Sequence, residues 1–203
     1  MKPTPVYNVL GVIGRPLLYG IFRLRTTGQK NVPDGGCVIA SNHLSNLDPW
    51  PLGVPLWPRL FLRFMAKAEL YWWPMRLFLD AVGAFRVRRG QADTEAIETA
   101  IRLCHEGNVV VMFPEGTRRR KGLRKTRQPR PRSGAARIAL TARVPLVPAA
   151  LKGTDRLSRL GPMRVAYGPP IELEDLRGLD IRRASQEATD RLMARIAELE
   201  ATL

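Results

Sequence analysis

Short aliphatic and β-branched runs recur along this chain, separated by segments whose apolar positions fall three and four residues apart. Cys37–Ser41, Phe61–Lys67, Ala84–Val87, Asn108–Phe113, Leu146–Leu151 and Met163–Tyr167 read as strands, with Arg23–Thr27 as a further one. Asn108–Phe113 (NVVVMF) lacks polar alternation, as expected of a parallel strand covered on both faces. Residues 93–106 place Ala96, Ile97, Ala100, Ile101 and Cys104 at helical spacing, with acids in the first turn and Gly107 past the end. Leu70–Leu79 and Ser133–Ala142 read as helices. Ser185–Leu203 closes the chain with Ala188, Leu192, Ile196, Leu199 and Leu203 on one face. Asp48-Pro49 predicts a helix start, with Asp48 as the cap and Pro49 at the first helical position, and Pro51, Pro55 and Pro58 keep that helix short. Strands alternating with helices, without a repeat or dividing linker, predict one α/β domain with a mostly parallel central sheet flanked by helices.

The most apolar segment, residues 5–24, is a poor membrane span because Arg15 and Pro16 interrupt it and Gly11, Gly14 and Gly20 weaken it. Tyr7, Tyr19 and Phe22 alongside Arg15, Arg23 and Arg25 suit an amphipathic helix lying at a membrane interface. The expected organisation is therefore an interface helix over 1–24 and an α/β domain over 25–203. A helix packed on its own domain is the competing explanation. Trp72 and Trp73 are read as core in preference to an interfacial anchor.

Charge changes the picture more than composition does. An apolar content of 45% is ordinary for a folded chain of 203 residues, so disorder is not the default. Thirty-three Lys and Arg against 18 Asp and Glu give a formal charge of +15, which favours anionic partners: nucleic acid, anionic lipid headgroups or phosphorylated substrates. Nine of those cations fall within residues 118–132, which hold no acid and read as a mobile basic loop. The two cysteines, Cys37 and Cys104, lie in apolar runs without metal-ligand spacing and read as buried thiols of a reducing compartment.

Ligands of open α/β sheets collect beyond the carboxyl ends of the strands. Two chemistry-bearing motifs stand at such ends: Asn42-His43 with Asp48 five residues on, and Pro114-Glu115-Gly116-Thr117-Arg118 after NVVVMF. Asn42-His43-x4-Asp48 resembles the NHx4D signature of the glycerolipid acyltransferases, the family of 1-acylglycerol-3-phosphate acyltransferases. Gly83–Arg89 is similar to that family's G-x-x-x-x-x-R block, and Phe113–Arg118 to its F-P-E-G-T-R block. Gly134-Ala135-Ala136 and Val144–Pro148 are similar to its last helix start and proline-containing strand. The resemblance spans roughly residues 37–151.

A histidine suits the proton removal that acyl transfer from a thioester to a hydroxyl requires, since its unperturbed pKa is ~6.5. Asp48 can hold its other ring nitrogen, as a triad's acid does. His43 and Asp48 are thus the candidate catalytic pair, and the substrate's own hydroxyl is the nucleophile. The resemblance implies that Arg89, Glu115, Gly116, Thr117 and Arg118 line the acceptor site; arginine forks meet phosphate oxygens bidentately. It also implies an acyl-CoA or acyl carrier protein donor, no bound cofactor and no metal. The implied product is phosphatidic acid, made from lysophosphatidic acid on the cytoplasmic face of the cell membrane by a peripheral protein. Arg88, Arg119 and Arg120 make this site more basic than its relatives. A different acceptor (glycerol-3-phosphate, a glycosylated phosphoinositide or another lysolipid) stays open, while nucleic acid is not expected because no binding motif accompanies the charge.

Overall fold

The computed structural model describes residues 3–87, 94–116, 120–121, 124–125 and 131–203. Seven strands form one sheet: β1 (Arg25–Thr27), β2 (Cys37–Ser41), β3 (Leu62–Lys67), β4 (Ala84–Val87), β5 (Val109–Met112), β8 (Leu146–Lys152) and β9 (Arg164–Tyr167). Their order is β1-β9-β8-β2-β5-β3-β4, and every pair is parallel except β8 with β9. The fold is the expected α/β arrangement. Between β5 and β8, β6 (Arg120–Lys121) and β7 (Arg124–Lys125) pair as a two-rung antiparallel hairpin within the basic stretch. The expectation of a mobile loop there falls, for the remainder, largely outside the described residues.

Helices cover both faces of the sheet. On one face α4 (Thr94–His105), α5 (Gly134–Ala142) and α6 (Ile181–Thr202) close a core containing Val38, Val110, Ile138, Leu192 and Ile196. On the other face α1 (Pro5–Pro16), α2 (Pro49–Gly53) and the turns that follow them cover Ile39, Val109, Val111, Val147 and Leu151. Adjacent residues of β2 and β5 thus enter different cores, which is why neither strand shows polar alternation. The buried Tyr167 hydroxyl donates to Leu52 O (2.7 Å), tying β9 to α2. Cys37 and Cys104 are buried free thiols, and burial pushes both up to about 12.

α1 packs on the domain through its small residues. A Cβ on Gly11 would stand 2.5 Å from the Trp57 ring, so glycine is what admits the helix so closely. Trp57 Nε1 donates to Asn8 Oδ1 (3.0 Å), and Leu62 N donates to the Tyr7 hydroxyl (3.3 Å), whose ring meets Phe61 edge-on. Tyr7 therefore faces inward, while Val6, Val9, Val12 and Ile13 are exposed on the opposite side. Pro16 withholds an amide, and the helix widens into a π-turn over Leu17–Ile21.

Three elements depart from the sequence reading. Residues 70–79 are not one helix: a 3-10 turn ends at Leu70, and α3 runs only from Met75 to Ala81. Pro74 biases the residue before it away from helical geometry. Trp72 and Trp73 therefore lie outside any helix and are 57% and 78% exposed, not core. α6 begins at Ile181, four residues before Ser185, because Asp180 accepts from Arg182 N (3.0 Å) and Arg183 N (3.3 Å). β1 begins at Arg25, since Arg23 has a φ of +45° and cannot enter a strand.

Candidate active site

β2 lies in the middle of the sheet, between β8 and β5, and its carboxyl end delivers Asn42 and His43. Asn42 is buried and its side chain extends the ladder by one rung. Its Nδ2 donates to Leu151 O (2.9 Å), and Leu151 N donates to its Oδ1 (2.8 Å). The same Nδ2 reaches Glu200 Oε1 near the end of α6 (2.7 Å). This asparagine fastens β2 to β8 and α6 and so fixes where the next residue stands.

That residue is His43, whose side chain is 13% exposed. Asp48 Oδ2 lies 2.8 Å from His43 Nδ1. A carboxylate can only accept, so Nδ1 carries the proton and Nε2 is left with its lone pair for base chemistry. Phe113 stacks on the imidazole, with centroids 4.2 Å apart and planes 19° from parallel. Sequence reasoning gave Phe113 no role beyond opening the FPEGTR block, yet it is the contact that joins the two motifs.

Asp48 is fully buried, and a buried carboxylate must have its lone pairs satisfied. Oδ2 accepts from Leu44 N (2.7 Å) and Ser45 N (2.9 Å) in addition to His43. Oδ1 accepts from the buried Thr154 hydroxyl at 2.6 Å. The expected helix cap is absent: the Asp48 side chain makes no hydrogen bond to α2. Little there needs capping, because Pro49 and Pro51 have no amide proton and Trp50 N already donates to Leu47 O (2.9 Å). The Asp48 carboxylate is committed to the loop amides, the histidine and Thr154.

Thr154 was missed by sequence reasoning. Its signal is positional: it follows β8, next to β2, at the same carboxyl edge as His43. Gly153 before it has a φ of +89°, and a Cβ there would collide with Pro162 O, so the turn that aims Thr154 needs glycine.

β5 pairs in register with β2, Ala40 opposite Met112, which sets the turn Phe113–Gly116 beside the His43 loop. Gly116 N donates to Phe113 O (2.9 Å) and Gly116 has a φ of +67°. Glu115 is buried in this turn. Arg132, at the end of the basic stretch, lies against it: its backbone N donates to Pro114 O (2.8 Å), and its Nε would stand 3.0 Å from a Cβ on Gly116. The structure thus brings together His43, Asp48, Glu115 and Gly116 and adds Asn42, Phe113, Arg132 and Thr154. Arg89, Thr117 and Arg118 lie outside the described residues. Among the described residues no cluster of His, Cys, Asp or Glu has metal-binding geometry.

An apolar cavity of about 390 Å³ opens beside the loop, walled by Asn46, Leu47 and Trp50 on one side and by Leu10, Phe64 and Phe78 on the other. The His43–Asp48 pair stands on the same loop as Asn46 and Leu47, which line this cavity, an arrangement that suits transfer of an apolar acyl group to a substrate hydroxyl.

Residues 23–152 match the protein family described as Acyltransferase. The chain belongs to the acyltransferase family. It is 34% identical to the 1-acyl-sn-glycerol-3-phosphate acyltransferase of Bacillus subtilis, over 87% of this chain and 88% of that one. The 1-acyl-sn-glycerol-3-phosphate acyltransferase of Limnanthes douglasii is 30% identical over 78% of this chain, which spans 57% of the plant protein. The acyltransferase fold also matches the crystal structure of the 1-acyl-sn-glycerophosphate acyltransferase of Thermotoga maritima, at a TM-score of 0.67 and 22% identity. That match covers 95% of this chain and 79% of the other.

Proposed function

We propose that this acyltransferase moves a fatty acyl group from an acyl thioester to the free hydroxyl of lysophosphatidic acid, forming phosphatidic acid for phospholipid synthesis. The observation that carries the reading is the His43–Asp48 pair, with Nδ1 engaged at 2.8 Å and Nε2 left as the base. Nε2 takes the acceptor's proton as its oxygen attacks the thioester carbonyl. The C–O bond forms, the C–S bond breaks, and the imidazolium returns the proton to the departing thiolate. Asp48 stabilises the imidazolium, and Thr154 with the two loop amides keeps Asp48 in place. General-base help of this kind is worth ~10²–10⁴-fold, so substrate positioning must supply much of the remaining acceleration.

The acyl chain has an apolar cavity beside the loop to enter. The acceptor phosphate is assigned to the arginines of the two family-like blocks, Arg89 and Arg118, with Arg132 beside Gly116 as a further cation. Glu115 and Thr117 are assigned to the same site. The donor is acyl-CoA or acyl carrier protein, with no bound prosthetic group.

A peripheral position on the cytoplasmic membrane face is part of the proposal. Among the described residues no helix is long and apolar enough to cross a membrane. All exposed large hydrophobic side chains among them, save Leu160, Leu179 and Ile181, belong to α1 and its π-turn, to Leu47, or to residues 70–78. Leu10, Leu47 and Phe78, from these same segments, wall the apolar cavity, and a patch so concentrated marks an interaction surface. The net charge of +15 adds attraction to anionic headgroups.

The test supplies purified protein with acyl-CoA or acyl carrier protein and a panel of acceptors, follows free thiol, and weighs the lipid product. Expected is phosphatidic acid from lysophosphatidic acid, with His43→Ala inactive. A His43→Ala variant as active as the wild type ends the mechanism.

A further inference from the structure

The His43–Asp48 loop has a cavity on each side of it. Asn46 and Leu47 line an apolar one, and Leu44, next to His43, lines a second of about 530 Å³ whose wall mixes apolar surface with charged side chains. This charged cleft lies where β8 ends and β9 begins, with Lys152, Arg156 and Arg164 in its wall. We propose that this cleft holds the phosphorylated carrier of the acyl donor, with Lys152 and Arg164 as its anion-binding pair. The inference rests on the acyl-transfer reading above and assigns a site to the donor.

Strand register carries the argument. Lys152 on β8 is paired with Arg164 on β9, and Arg164 is paired with Arg25 on β1. Paired residues share a face, so three cations stand in one row across three adjacent strands. Like charges directly opposite one another in a sheet cost stability. Among the described residues some arginines elsewhere do stand in ion pairs: Arg59 with Asp34, Arg177 with Glu174, Arg191 with Asp175 and Arg195 with Glu198. None of the three cations in the row has an ion pair among the described residues. Asp155 and Glu200 also line the cleft, but Asp155 Oδ2 lies 3.9 Å from Arg156 Nε and Glu200 Oε1 accepts from Asn42 at 2.7 Å. α6 ends here as well, and one nearby cation suffices for a helix carboxyl end. A row of three exceeds that need and fits a phosphate.

Chemistry selects the donor. An acyl thioester poised at His43 needs apolar room for its tail on one side and cations for its carrier on the other. The loop separates two such spaces. The exposed hydrophobic side chains of α1, Leu47 and residues 70–78 belong to segments that also wall the apolar cavity, so a lysolipid reaches it from the membrane, whereas a water-soluble carrier approaches the charged cleft. The ligand chemistry is the phosphopantetheine phosphate, which acyl-CoA and acyl carrier protein share.

The test compares wild type with Lys152→Gln/Arg164→Gln, using each donor at saturating lysophosphatidic acid and then the reverse, with circular dichroism to check folding. The double variant is expected to raise the KM of whichever donor serves by about tenfold or more, leaving the acceptor KM within about twofold. A shift with both donors assigns the row to the shared phosphate. A shift with acyl-CoA alone assigns it to the nucleotide phosphates, which still places the carrier in this cleft. An unchanged donor KM, or a rise in the acceptor KM instead, overturns the inference while wild-type turnover upholds the acyl-transfer reading. Calorimetry with desulfo-CoA needs no turnover. Where acyl-CoA serves, wild-type binding that weakens about tenfold in the variant supports the site, and equal binding overturns it.

Discussion

Thr154 Oγ1 donates to Asp48 Oδ1 at 2.6 Å, from the turn after β8 to the loop after β2. The Asp48 carboxylate is thereby held from two neighbouring strands, with Oδ2 turned to His43 and Oδ1 turned away. Thr154→Val keeps the shape and removes the donor. Expected is a kcat lowered about tenfold or more with KM for both substrates within about twofold, because the lost contact orients the base without touching substrate. Thr154→Ser should restore most of kcat. Steady-state kinetics of the two variants decide it, and a valine variant with wild-type kcat removes the positioning role.

Asn42 stands in for a strand residue, so its replacement should act on stability as well as activity. Asn42→Leu leaves the buried Leu151 N–H and C=O without their side-chain partners, at a cost on the order of 3 kcal/mol. Urea unfolding should show a lower midpoint at unchanged slope.

Trp72 and Trp73 are exposed aromatics on the segment that leads into Phe78, which lines the apolar cavity. Trp72→Ser/Trp73→Ser is expected to weaken co-sedimentation with anionic phospholipid vesicles about tenfold or more, with little change in thermal midpoint, since neither ring is in the core. Vesicle pelleting and a thermal scan read the two effects separately.

Alkaline pH should destabilise the fold. Burial raises Cys37 and Cys104 from an ordinary 9.0 to about 12, and raises Tyr7 and the wholly buried Tyr167 above 10.0. Folding favours the protonated forms, so this contribution is complete below pH 9 and is lost as pH rises towards 12. Denaturant midpoints measured from pH 8 to 11 should fall steadily. Both thiols should also resist a disulfide reagent at pH 8 until the chain is unfolded.

The strands were legible in the residues alone, because uninterrupted runs such as CVIAS and NVVVMF bury best in a sheet covered on both sides. The sequence also marked His43 and Asp48, since a histidine and a carboxylate sit five residues apart and a single loop can bring them together. Its errors came where local signals competed. Two tryptophans read as core because they are large and apolar, but Pro74 broke the helix that would have buried them. Asp48 read as a cap because it precedes a helix, although the prolines beyond it leave almost no amide to cap. The remaining contacts of the site lie between strands distant in sequence. β5 beside β2 stacks Phe113 on His43, and β8 on the other side brings Asn42 to Leu151 and Thr154 to Asp48. β9 antiparallel to β8 lines up Lys152, Arg164 and Arg25. Strand order and register are settled by the packing of whole faces, and no local run of residues carries that information.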